Sequence, residues 1–234
     1  MTILFWDIDG TLLTTARGGV YALEDACRDV TGHTLDLQAI KSDGLTDHQL
    51  AVKILEQAGS AASVDLVERF LRRYEAHLPD RLPRRQGRVL EGVREILAHL
   101  RARRPDVHSM LLTGNTAAGA RAKLAHYGLQ EFFEGGAFSE DTGPRAAIAA
   151  RALAAVRARF PGAAIEPDDV FVVGDTPHDI ECARVIGARA IAVASGVFTK
   201  PDLEARGAWR VVERLPVPAA FEALIDLAAG RAPA

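Results

Sequence analysis

Four short apolar runs constrain this chain more than any other feature: "ILFW" at Ile3–Trp6, "HSMLL" at His108–Leu112, "VFVV" at Val170–Val173 and "AIAVA" at Ala190–Ala194. None alternates cleanly between apolar and polar residues. A strand with one face in water alternates, whereas a strand covered on both faces reads as a near-continuous apolar run. Helical periodicity fills the intervals, at Glu91–Arg104, Ala117–Gly128, Pro144–Phe160, Pro177–Gly187 and Pro218–Ala229. "VVERL" at Val211–Leu215 reads as a fifth strand at an edge. The rhythm predicts an α/β fold, a Rossmann-like parallel sheet in three layers with helices on both faces.

The rhythm fails once. Between Thr15 and Gln86 no strand-like run occurs, and three stretches read as helix instead: Gly18–Val30, Thr46–Gln57 and Val64–His77. About seventy residues is far more than a βα loop of roughly 2–6 residues needs. An inserted α-helical subdomain over residues 15–86 is therefore expected, within a core built from residues 1–14 and 87–234. "LPDRLPRRQGR" at Leu78–Arg88 reads as its return linker.

Composition narrows the function classes. A hydrophobic fraction of 48% and a charged fraction of 25% describe an ordinary globular protein, and a net charge of -3 offers no basic surface for nucleic acid. Only Cys27 and Cys182 are present, so reduced thiols are expected. The first apolar run meets Asp7 too early for a signal peptide. No segment reaches the roughly 18 apolar residues of a membrane span. A soluble, cytoplasmic monomer or homodimer is expected.

Three of the strand-like runs end in polar clusters. The first gives "DIDGT" (Asp7–Thr11), the second "TGN" (Thr113–Asn115) and the third "GDTPHD" (Gly174–Asp179). Ligands of open α/β sheets collect at the carboxyl ends of the strands, so these distant clusters are expected to converge. Mg²⁺ prefers hard oxygen ligands. Asp7, Asp175 and the backbone carbonyl of Asp9 are suitable, and the metal would neutralise and polarise a substrate phosphate. Asp7 is then placed to attack phosphorus and Asp9 to move protons. Thr113, with the N–H groups of Gly114 and Asn115, is placed to hold phosphate oxygens, and Gly10 to turn the chain closely around the anion.

Local alternatives stand beside these roles. Thr176, Pro177 and Asp179 also fit an N-cap, a first helical residue and the third residue of a capping box. "TGNT" fits a helix cap equally well. A basic group besides the metal is expected at the phosphate. Arg145, which opens a helix, is preferred over Lys123, which lies two turns into its own and farther from the strand-end plane. His178 reads as helix-start surface facing solvent or the insert.

Together these residues resemble the haloacid dehalogenase superfamily. "DIDGT" looks like its first motif, "LLTGN" its second and "GDTPHD" its fourth, with Arg145 standing for the basic third motif. The resemblance covers nearly the whole chain. It implies Asp7 as nucleophile, Asp9 as acid and base, Thr113 as phosphate-binding hydroxyl and Asp175 as metal ligand. It also implies that Asp179 is an outer or direct metal ligand. The third motif departs from the common pattern, in which a lysine precedes a proline; here Arg145 follows Pro144.

The insert matches the helical cap of the subgroup that contains phosphoglycolate phosphatases, β-phosphoglucomutase, phosphonatase and the dehalogenases. "KSDGLTDHQL" at Lys41–Leu50 resembles the substrate-facing cap loop, which makes Lys41 and Asp43 candidates for specificity. The implied activity is Mg²⁺-dependent hydrolysis of a small phosphate monoester, phosphoglycolate-like or a sugar phosphate. A phosphosugar mutase uses the same two aspartates. A phosphonatase would need a cap lysine such as Lys41 or Lys53. A dehalogenase has no need of Asp9 as a proton donor, and a binding protein has no need of any of these carboxylates.

Overall fold

The computed structural model describes residues 1–40 and 44–228. The chain opens with β1 (Thr2–Trp6) and a short β2 (Leu13–Thr14), then passes through three helices, α1 (Gly18–Thr31), α2 (Asp47–Gln57) and α3 (Val64–Arg81). It returns through β3 (Arg88–Val89), α4 (Val93–Arg103), β4 (Val107–Leu112), α5 (Ala117–His126), β5 (Gly136–Ala137) and α6 (Arg145–Arg159). The remainder is β6 (Val170–Gly174), α7 (Pro177–Val185), β7 (Arg189–Val193), α8 (Lys200–Ala205), β8 (Arg210–Val212) and α9 (Pro218–Ala228).

Six strands form one parallel sheet in the order β5-β4-β1-β6-β7-β8. The central strand is β1, paired on both sides, and all five of its residues are buried. The period of two that the apolar runs concealed appears in the packing. Leu4, Trp6, Leu111, Phe171, Val173 and Ile191 pack on one face with α4, α5 and α9. Ile3, Phe5, Leu112, Val170, Val172 and Ala190 pack on the other with α6 and α7. Trp6 stacks on Phe221 of α9 at 5.6 Å between ring centroids. The topological switch lies at β1, where the crossovers diverge to opposite sides, so its carboxyl end is where a crevice opens.

The three inserted helices have their own apolar core, including Leu23, Ile54, Leu55, Phe70, Leu71 and Leu78. Their ends are joined to the sheet domain by the antiparallel β2–β3 pair, Leu13 opposite Val89 and Thr14 opposite Arg88. This two-residue ribbon is too short to show a periodicity. The same is true of the edge strand β5 and the six-residue α8, neither of which the sequence pattern had suggested. Strand β8 lies at the edge expected for it, shifted slightly toward the N-terminus.

One boundary needs correction. The linker reading placed the end of the third helix at His77, before Pro79, but α3 runs on to Arg81. Proline disfavours helix in the residue before it, yet here packing wins. Leu78 and Leu82 are fully buried. Arg81 grips the buried Asp25 of α1 through two nitrogens, Nη2 at 2.7 Å from Oδ1. The hydrogen bonds from Arg81, with burial opposing and Arg28 assisting, hold the Asp25 carboxyl below the usual carboxylate range.

Cys27 and Cys182 are both buried and unbonded to each other, one in the insert and one beneath the sheet. Among the described residues no helix is long and apolar enough to cross a membrane.

Candidate active site

Asp7 follows the last residue of β1, where its backbone N–H still donates to Val173 of the neighbouring strand at 3.0 Å. That anchor presents its side chain at the carboxyl end of the sheet. Asp175 takes the corresponding place after β6, and Asp179 comes up from the first turn of α7. One oxygen from each carboxylate can be chosen so that all three lie within 4.8 Å of one another. All three groups are buried.

Arg145, at the start of α6, is the cation these carboxylates share. Its Nη2 lies 2.7 Å from Asp7 Oδ1 and 2.6 Å from Asp179 Oδ1. One guanidinium among three buried carboxylates leaves the cluster short of positive charge. Burial, reinforced by repulsion from Asp179 and Asp9 and opposed by Arg145, pushes Asp7 up to about 7. Burial and the charges of Asp179 and Asp7 push Asp175 up to about 8. Arg145 itself is held above its ordinary range because Asp179 and Asp7 outweigh the cost of burial. A small hard dication suits such a donor set.

Asp179 closes the capping box that its sequence context suggests, and it also meets Arg145. Its Oδ2 accepts from the backbone N–H of Thr176 at 3.0 Å and from the Thr176 hydroxyl at 2.8 Å, closing the helix end. Its Oδ1 faces Arg145. Both of its oxygens thus have a partner within the chain.

Two glycines explain how Asp175 fits. Gly10 has φ +87°, and a Cβ built there would stand 2.3 Å from Asp175 Oδ2. Gly196, in the loop after β7, would bring a Cβ to 2.0 Å from the same atom. Gly10 was expected to make room for an anion; the anion it makes room for is the Asp175 carboxylate. Gly196 carried no sequence signal, since the loop "ASGVF" has no motif. Thr11 completes the surroundings, its hydroxyl donating to Asp175 Oδ1 at 3.1 Å.

The second strand-end cluster forms a separate network. Asn115 Nδ2 donates to Thr113 Oγ1 at 2.8 Å and to Asp9 Oδ2 at 2.9 Å. The Asn115 backbone N–H also donates to Thr113 Oγ1, at 3.3 Å. With two N–H donors on its oxygen, the Thr113 hydroxyl is left to donate its own proton elsewhere. The N–H expected to meet a phosphate at Asn115 is therefore occupied, while that of Gly114 has no acceptor among the described residues.

Lys123 corrects the expectation that it lies away from the strand ends. Its long side chain runs from the second turn of α5 back toward the helix start. Nζ reaches Asp9 Oδ2 and Asn115 Oδ1, each at 2.6 Å. Burial disfavours its charge, but Asp9, Tyr74 and Asp47 outweigh that and hold Lys123 above the ordinary lysine range. Arg145 and Lys123 thus both reach the site, on different aspartates.

The insert closes over these groups. The Asp47 backbone N–H donates to the Gly114 carbonyl at 2.7 Å, and Asp47 Oδ2 accepts from the Thr116 N–H at 2.8 Å. Burial pushes the Asp47 carboxyl up to about 6, with Lys123 opposing. Thr46 is the helix cap, in a capping box with Gln49. His48 Nδ1 lies 2.7 Å from Ser139 Oγ. His178 packs against the insert: a Cβ at Gly44 would come within 2.0 Å of its ring. Asp7, Asp9, Thr113, Lys123, Arg145 and Asp175 line one cavity of about 170 Å³, which Val20, Leu23, Leu45, Leu50 and Tyr74 of the insert roof over. Drug-sized pockets span roughly 300–1,000 Å³, so this one suits a compact ligand. Lys41 and Asp43 lie outside the described residues.

A family model for haloacid dehalogenase-like hydrolases matches residues 4–184. "Probable phosphatase IndB" of Dickeya dadantii is 29% identical over 96% of this chain and 95% of its own length. "Phosphoglycolate phosphatase" of Synechococcus elongatus is 32% identical over 58% of this chain and 59% of its own. Among solved structures, CbbY from Rhodobacter sphaeroides in complex with phosphate superposes with a TM-score of 0.72, covering 92% of this chain and 95% of that one. At 17% identity that likeness speaks to the fold alone.

Proposed function

This chain belongs to the haloacid dehalogenase-like hydrolase family, and from that premise we propose that it is a Mg²⁺-dependent phosphatase acting on a small phosphate monoester through an aspartyl-phosphate at Asp7. The observation that carries the reading is the division of labour between two aspartates two residues apart. Asp7 belongs to the buried cluster with Asp175, Asp179 and Arg145. Asp9 is turned away from that cluster toward Lys123 and Asn115, with its side chain 43% exposed. One environment suits a nucleophile beside a cation; the other suits a group that exchanges protons with the ligand cavity.

The donor set fits Mg²⁺, with Asp7, Asp175 and the Asp9 carbonyl holding the ion and Asp179 in support. The ion, when bound, neutralises and polarises the phosphoryl oxygens. The chain's own residues do the rest. Arg145 orients Asp7, while the Thr113 hydroxyl and the Gly114 N–H bind phosphoryl oxygens. An Asp7 oxygen forms a bond to phosphorus as the ester P–O bond breaks, and Asp9 gives its proton to the departing alcohol. Asp9, now ionised, removes a proton from water. The water oxygen bonds to phosphorus, the Asp7 O–P bond breaks, and inorganic phosphate leaves. Residues 15–86 act as a cap that excludes bulk water and shapes the leaving-group pocket over the core of residues 1–14 and 87–234.

The small cavity supports a compact monoester, and the family resemblance points to a phosphoglycolate-like compound or a sugar phosphate. The test is phosphate release across a panel of small monoesters, with Mg²⁺ and with chelator, for the wild type and Asp7→Asn. Mg²⁺-dependent release that Asp7→Asn abolishes is expected. Release that persists in Asp7→Asn would overturn the assignment of the nucleophile.

A further inference from the structure

Lys123 is a buried cation in the wall of the cavity, held by side chains other than the nucleophile. Its Nζ donates to Asp9 Oδ2 and Asn115 Oδ1, each at 2.6 Å, and it is also hydrogen-bonded to the Tyr74 hydroxyl. Its side chain is 6% exposed. A lysine loses considerable side-chain entropy and hydration when buried in this way. What this ammonium does to the two side chains it holds, Asp9 and Asn115, calls for an account, since Arg145 pairs with the nucleophile and Lys123 does not.

The hydrogen-bond directions supply one. Asp9 Oδ2 accepts from two N–H donors, Lys123 Nζ at 2.6 Å and Asn115 Nδ2 at 2.9 Å. Neither donor can be replaced by a proton on that oxygen without an N–H facing an O–H. Asp9 Oδ1 accepts no hydrogen bond among the described residues, and Asp9 lines the cavity. The proton that Asp9 carries therefore belongs on Oδ1. Lys123 also fixes Asn115, because a carbonyl oxygen must face the ammonium. The amide nitrogen is thereby turned toward Asp9 and Thr113. A single ammonium thus sets the orientation of the proton donor, directly and through Asn115.

We propose that Lys123 is a positioning residue for proton transfer: together with Asn115 it pins Asp9 Oδ2 and leaves Oδ1 as the oxygen that delivers the proton to the leaving alcohol. The role rests on the phosphatase reading above. It makes no contact with substrate necessary, and it distinguishes Lys123 from Arg145, which acts on the nucleophile.

The test uses leaving groups of different basicity. An alkyl alcohol must be protonated as it departs, whereas 4-nitrophenolate departs unassisted. A defect in Asp9 positioning therefore falls on the first and spares the second. The kcat/KM of Lys123→Met and Lys123→Gln would be measured with 4-nitrophenyl phosphate and with a primary-alkyl phosphate that the wild type hydrolyses. General acid catalysis is worth about 10²–10⁴-fold, and misdirecting the acid is expected to forfeit on the order of 10–100-fold of it on the alkyl ester. A loss within about threefold is expected on the nitrophenyl ester, where that assistance is not needed. Lys123→Gln, which retains a donor, is expected to lose less than Lys123→Met. The ratio between the two substrates is independent of how much variant protein is folded. Equal losses on both substrates would overturn the proposal. If the wild type hydrolysed neither ester, the phosphatase reading itself would fall instead.

Discussion

Arg145 reaches Asp7 with the same nitrogen, Nη2, that it uses to reach Asp179, at 2.7 Å and 2.6 Å. Among the described residues the forked geometry that distinguishes arginine from lysine is unused on these two carboxylates, and Arg145 Nε is buried without a hydrogen-bond partner. A single ammonium at that point would serve both carboxylates. Arg145→Lys is therefore expected to keep activity within about tenfold of wild type. Arg145→Met, which leaves buried carboxylates uncompensated, is expected to lose at least about 100-fold and to be destabilised by roughly 3–5 kcal/mol. Steady-state kinetics and thermal melts of the two variants check this.

The acidic cluster makes the metal-free protein sensitive to alkali. Asp7 and Asp175 are raised from an ordinary 3.8 to about 7 and about 8. A carboxyl raised on folding contributes stability that is complete below its unfolded pKa and is lost as pH rises through the folded value. In chelator, Tm is expected to fall between about pH 4 and pH 8 from this source. Mg²⁺ at pH 8 is expected to raise Tm by several degrees more than at pH 5, since it binds the ionised folded form. Calorimetric scans at the two pH values, with and without Mg²⁺, measure the difference.

Asp47 fastens the inserted helices to the loop after β4 by accepting from the buried Thr116 N–H. Since burial already moves this carboxyl toward its neutral form, an amide is a fair replacement. Asp47→Asn is expected to stay within about threefold of wild-type kcat/KM. Asp47→Ala leaves the Thr116 N–H unpaired, at a cost of about 1–3 kcal/mol, and is expected to lower kcat/KM about tenfold. Faster amide exchange at the start of α5 in the alanine variant alone would confirm that the contact, and not the charge, matters.

Gly10 and Gly196 are predicted to be intolerant for one shared reason. A methyl at either position runs into Asp175 Oδ2, and Gly10 is also in a left-handed conformation. Gly10→Ala and Gly196→Ala are each expected to reduce kcat at least about 100-fold by moving the carboxylate off the site. A titration of Mg²⁺ against activity is expected to show weakened metal dependence in both. Normal Mg²⁺ affinity with unchanged kcat would rule the steric account out.

Much of this molecule was legible in the chain because the relevant physics is local. Runs such as "VFVV" are apolar because helices cover both faces of the sheet, and the acidic clusters follow those runs because strand ends are where a parallel sheet opens. The helices of the insert announced themselves by an amphipathic period of their own. What depends on distance in space was not legible. "TPHD" reads as a capping box whether or not Arg145 lies 2.6 Å from Asp179. Lys123 stands two turns along its helix from the strand ends, and only packing folds its side chain back onto Asp9. Gly196 has no local reason to be glycine at all; its reason is the Asp175 carboxylate, twenty-one residues earlier. The sequence by itself determined the layers, the strand-end aspartates and the existence of a helical insert, since periodicity and turn chemistry act over a few residues. Which cation serves which aspartate was decided only by the tertiary structure, because ion pairing in a buried site depends on atoms that the chain order leaves far apart.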